Sequence, residues 1–145
     1  MLNLMKLTQI VLVGSILLGA SAAVGETADQ AAISKLLHRT FDQPNTQLIV
    51  APIVVSGAYA VAGWTQAEMG GRALLRRKAQ DWTLILCAGD GIKTKDGLVS
   101  VGVPSEDATS LAAAMATEEA SLPAQRVSMF SRFEGMMKMD GSDHH

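Results

Sequence analysis

QLIVAPIVVSGAYAVAGWTQAEMGGRALLRRKAQDWTLILCA, residues 47–88, decides the fold. Its first run is rich in β-branched residues, Gly57 and Ala58 supply a tight turn, and YAVAGWT returns as a second extended run. GRALLRRK and DWTLILCA form a second pair joined by Ala79 and Gln80, each short enough for a strand. The spacing predicts an antiparallel meander of four strands, near residues 47–56, 59–65, 71–78 and 81–88. Within QAEMGG, between the second and third strands, the paired Gly70 and Gly71 predict a shaped loop.

Upstream, Ala32, Ile33, Leu36 and Leu37 recur at helical spacing between Asp29 and Arg39, with Asp29 placed to cap and Pro44 blocking continuation. Downstream, AGDGIKTKDG predicts a loop. A helix then starts at Ser105 as cap, with acids in its first turn and a stripe of Ala108, Leu111, Ala112 and Met115. Pro123 ends or restarts it, and PAQRVSMFSRFEG predicts a final short helix that turns Val127, Phe130 and Phe133 inward. The expected class is α+β: an N-terminal helix packed on a four-stranded antiparallel meander, followed by two C-terminal helices. The helices would cover one sheet face, a layering like that of cystatin-like folds.

The chain has 145 residues, enough for one sizeable core but not two. At 48% hydrophobic and 18% charged it is too apolar for a disordered chain, and a net charge of −2 gives no field for nucleic acid. Residues 1–22 have the make-up of a secretory signal peptide: Lys6, an apolar run from Leu7 to Ala20, then small residues that place cleavage after Ala22. Its removal takes one cation and no acid, giving a net charge of −3. The mature form is expected in the periplasm without a membrane span, as a single domain over 23–134 with a flexible Met/His-containing tail over 135–145.

A catalytic set is missing from the sequence, so no enzyme is expected. Two of the three histidines are the last two residues. The third, His38, stands one turn before Asp42, where a helix end favours a cation. Glu118 and Glu119 are adjacent and point apart around a helix. Arg76, Arg77 and Lys78, with Arg72 upstream, read as the solvated end of a strand, Arg76 and Lys78 on one side and Arg77 on the other. The single cysteine, Cys87, is expected as a small buried hydrophobe rather than a metal ligand, having no His or second Cys near it.

The C-terminus is different. EGMMKMDGSDHH gathers Met136, Met137 and Met139 beside Asp140, Asp143, His144 and His145, three of the eight methionines of the chain. A polar, Gly-containing tail gives methionine no interior to fill. Thioethers are soft donors that select Cu(I), while imidazole and carboxylate suit Cu(II). Met136, Met137, Met139, Asp143, His144 and His145 are therefore the candidate copper ligands.

The block GWTQAEMGGRALLRRKAQDWTLILC, the GVP segment before a helix, FSRFEG and the Met/His end together resemble the copper uptake system-associated proteins, small exported bacterial proteins. The resemblance covers nearly all of the mature chain, with GGRALLRR and FSRFEG its most specific parts. It implies a periplasmic accessory protein acting with copper-handling periplasmic or membrane components, and it implies no catalytic residue. The alternative reading is an exported interaction or inhibitor module with no role for metal.

Overall fold

The computed structural model describes residues 25–139. The expected signal peptide over 1–22 and the candidate ligands Asp143, His144 and His145 lie outside the described residues. Helix α1 (Ala28–Phe41) leads into strands β1 (Ile49–Ser56), β2 (Tyr59–Gln66), β3 (Met69–Lys78) and β4 (Asp81–Ala88). A 3₁₀ turn (Asp90–Ile92) and helices α2 (Lys95–Ser100), α3 (Ser105–Ala120) and α4 (Ala124–Phe130) follow, and β5 (Met136–Lys138) closes the order. The five strands form one antiparallel sheet in sequence order.

The α+β class and the four-strand meander are as expected, and the layering is not. Helices cover both sheet faces. Ile33 and Leu37 of α1 pack on one face with Leu48, Ala60, Ala62, Ala73, Leu75, Trp82, Leu84 and Cys87. On the other, Ala108, Leu111 and Met115 of α3 and Leu98 of α2 pack on Val54, Val61, Leu74 and Leu86. The physical reason is written in β3, where Gly70 to Leu75 are all buried. A strand whose successive side chains point to opposite faces can bury every one of them only when both faces are covered. A one-sided, cystatin-like cover therefore describes α1 alone.

Several local expectations change with their chemistry. Thr27, not Asp29, caps α1, in a reciprocal pair with Gln30. Asp29 is thereby free to accept hydrogen bonds from Arg77 Nη2 and Trp82 Nε1. At α3 the cap position falls on Pro104, and Ser105 is the first helical residue with no capping bond. The loop expected after Cys87 contains the 3₁₀ turn and α2, which Thr94 caps through the Gly97 amide. The last helix stops at Phe130, so only Phe130 of its apolar set is fully buried.

Gly70 and Gly71 do not form a loop. The turn is Ala67–Glu68, and both glycines lie inside β3 because other chain segments pass too close for a side chain. A Cβ on Gly70 would stand 2.5 Å from the Met129 carbonyl oxygen, and one on Gly71 would stand 2.9 Å from the Trp64 ring.

The sheet's outer edge at β1 is blocked. Pro52, which has no amide hydrogen to donate, lies where the β1–β2 register shifts between Val50 and Ile53. Arg126 donates to the Ala51 carbonyl at 2.9 Å and to Thr65 Oγ1 at 2.6 Å, while Gln30 Nε2 donates to the Ile53 carbonyl at 3.0 Å. Side chains occupy the carbonyls that another strand would need, which is how natural sheets avoid edge-to-edge association. The opposite edge is β5, and the candidate site lies against it.

Candidate functional site

Residues 136–138, expected within a flexible tail, form β5 instead. They pair with β4 in the register Leu86↔Lys138, Cys87↔Met137 and Ala88↔Met136, and the Met139 amide donates to the Ile85 carbonyl at 2.7 Å. Without β5, the outer hydrogen-bonding groups of β4 would lack this pairing, and satisfying them is a sufficient physical reason for the strand.

The pleat then sorts the three methionines. Side chains at i and i+2 share a face, so Met137 and Met139 lie on the α1 face and Met136 on the other. The same sorting in β4 is reset by an irregularity. Leu74 pairs with Leu86 but Leu75 with Leu84, leaving Ile85 as an extra residue. Trp82 and Leu84 before it, and Cys87 after it, consequently all reach the α1 face. Cys87 and Met137 are direct cross-strand partners.

Phe41, Leu48, Trp64, Gln66, Cys87, Phe133, Met137 and Met139 enclose a cavity of about 80 Å³ on that face. Its walls are held from several sides. Gln66 Nε2 donates to the carbonyls of Phe41 and Thr46, joining β2 to the end of α1 and the loop beyond. Asp42 accepts from the Leu48 amide at 2.9 Å and lies 2.9 Å from His38 Nδ1. These bonds hold its carboxyl below the ordinary value of 3.8, the Leu48 amide contributing most. His38 thus joins the last turn of α1 to Asp42. Trp64 and Phe133 meet edge to face, with centroids 5.9 Å apart, and the Trp64 indole Nε1 is buried without a hydrogen-bond partner.

Cys87 is 4% exposed, and burial pushes its thiol up to about 11. The expected burial is found, and two thioethers, which the reading of the sequence did not place near Cys87, line the same cavity. Met137 is 55% exposed and stands at the outer rim. A neutral thiol in this setting is not a nucleophile at neutral pH. Among the described residues no group of three or more His, Cys, Asp or Glu converges. Among the described residues this cavity brings together the thiol of Cys87 and the thioethers of Met137 and Met139, beside the side-chain amide of Gln66.

A second buried constellation escaped the reading of the sequence. Arg72, grouped there with the solvated run Arg76–Lys78, is wholly buried. It donates to both oxygens of Glu119, to the Gly89 carbonyl and to Asp90, and it stacks on Phe130 at 5.5 Å. Glu119 is buried and Glu118 exposed, so the two acids do point apart. The available signal was context: Arg72 lies inside GGRALL, where a charge amid apolar residues requires a buried partner. Arg76 and Lys78 are exposed, and Arg77 stacks on Trp82 at 4.7 Å on the other side, as the strand alternation predicts. Among the described residues no helix is long and apolar enough to cross a membrane.

Comparison of the chain with protein-family models, with curated proteins and with solved structures finds no match.

Proposed function

We propose that this chain is an exported accessory protein of copper handling that holds Cu(I) between Cys87, Met137 and Met139. The observation that carries the reading is the cross-strand pairing of Cys87 with Met137 at a small cavity that Met139 also lines. Three sulfur donors around an apolar space suit Cu(I), because soft thiolate and thioether ligands select it. A volume of about 80 Å³ accommodates an ion and falls well short of the several hundred Å³ that organic ligands need.

The pleat argues against Met136 as a third thioether ligand here. His144, His145 and Asp143 add imidazole and carboxylate donors to the chain, a set suited to Cu(II). The resemblance to exported copper-associated proteins supports a periplasmic location and a copper-handling partner, with the folded body as the docking unit.

The test is an anaerobic competition titration against a Cu(I) chelator. Cys87→Ser and the pair Met137→Leu with Met139→Leu are expected to weaken Cu(I) binding by about tenfold or more, and Met136→Leu to leave it unchanged. Equal affinities across all four proteins would refute the site.

A further inference from the structure

Two adjacent methionines of β5 have similar exposure and opposite surroundings. Met136 is 44% exposed on the face of the strand away from the cavity, and Met137 is 55% exposed at the rim of the Cys87 cavity. Cys87 itself is 4% exposed. A water-borne oxidant therefore meets the rim thioether before it meets the thiol. The outcome matters because oxidation changes donor class: a thioether is a soft sulfur ligand, while a sulfoxide is polar and presents a hard oxygen.

We propose that Met137 is an oxidant-operated donor, whose conversion to methionine sulfoxide by a peroxide removes a soft ligand from the cavity and releases the ion. A thioether lone pair attacks one peroxide oxygen, forming the S–O bond as the O–O bond breaks. The second oxygen departs as hydroxide and takes up the proton left on the first, so one hydrogen peroxide gives one sulfoxide and one water. The sulfur is oxidised by two electrons and the peroxide is reduced by two. Methionine sulfoxide reductases reverse the change, which makes it a switch rather than damage. The proposal rests on the soft-metal reading above and extends it from binding to regulated release.

Met136 is a built-in control, one residue away and on the other face. The experiment uses Ag(I), a soft monovalent ion without the peroxide chemistry of Cu(I), and follows oxidation of each methionine by peptide mass spectrometry. Without metal, Met136 and Met137 are expected to oxidise at rates within about threefold of each other, since both are exposed. With Ag(I) bound, Met137 is expected to slow by about fivefold or more while Met136 is unchanged, because coordination draws electron density from the sulfur and makes its remaining lone pair a poorer nucleophile. Protein oxidised at Met137 but not at Met139 or Cys87, as checked by peptide mass spectrometry, is expected to bind Ag(I) about tenfold more weakly, with affinity restored by methionine sulfoxide reductase and no such loss in a Met137→Leu variant given the same mild treatment. If native mass spectrometry shows Ag(I) bound and Met137 oxidises as fast as before, the switch is overturned while a Cys87-centred metal site survives. If no Ag(I) binds to unoxidised protein, both fail.

Discussion

Arg72 and Glu119, 47 residues apart, meet as a two-bonded fork in the interior, Nε to Oε1 at 2.8 Å and Nη2 to Oε2 at 3.0 Å. The pair ties the centre of β3 to the last turn of α3. Through Gly89 and Asp90 it also fixes the turn after β4, and Ser131 beyond α4 donates to the same Asp90 at 2.7 Å. Ser131, more than Arg72, holds the Asp90 carboxyl below its ordinary value.

Removing the cation alone leaves a buried, uncompensated carboxylate. Arg72→Met should therefore destabilise the protein by about 3–5 kcal/mol, and combining it with Glu119→Leu should recover much of the loss. Urea unfolding of the unsubstituted protein and the two variants gives the values, and a double variant no more stable than Arg72→Met would show that the pair is not the cause.

Two hairpin turns place alanine in the left-handed region, Ala67 at φ +51° and Ala79 at φ +55°. That conformation crowds the Cβ of an L-residue, at a cost of about 1–2 kcal/mol. Ala79→Gly is expected to raise stability by about 0.5–1 kcal/mol after the entropy of the freer unfolded chain is subtracted. Thermal melts would contradict this by showing an unchanged or lower midpoint.

The buried thiol gives Cu(I) binding a pH dependence of definite sign. Cys87 is protonated below about 11, so binding as thiolate releases one proton. Apparent affinity should rise about tenfold per pH unit between pH 6 and 8, and Cys87→Ser should flatten that slope. A flat profile in the unsubstituted protein would remove the thiolate from the site.

In the metal-free protein the same shift acts on stability. The folded thiol holds its proton above the ordinary value of 9.0. Its stabilising contribution is complete below pH 9 and is lost as pH rises towards 11, by about 2–3 kcal/mol. Cys87→Ala should lack this alkaline decline, which denaturation at pH 8 and pH 11 would reveal.

Trp64 lines the cavity and Trp82 does not, although both belong to the cluster on the α1 face. Soft-metal binding should therefore change the emission of a Trp82→Phe variant, which retains Trp64, and leave that of Trp64→Phe nearly constant. Equal responses from the two would place the ion elsewhere.

The sequence by itself determined the strands of the meander and two of its turns, because period-2 runs and turn residues act within a few neighbours: β4 is found at the predicted residues, and Gly57–Ala58 and Ala79–Gln80 turn where expected. It also determined the buried positions Ile33 and Leu37 of α1 and Ala108, Leu111 and Met115 of α3, while Ala32 is exposed and Ala112 half-buried, and it determined the burial of Cys87. Only the tertiary structure decided that both sheet faces are covered, since continuous burial in GGRALL does not say what provides the cover. The same holds for Arg72, whose partner lies on a helix far along the chain. The site divides in the same way. Its sulfur donors were legible as residue types at the C-terminus, but which of them meet Cys87 depends on a fifth strand, its register and an extra residue at Ile85. Pairing register is set by contacts between segments, and one step along a strand turns every side chain to the opposite face.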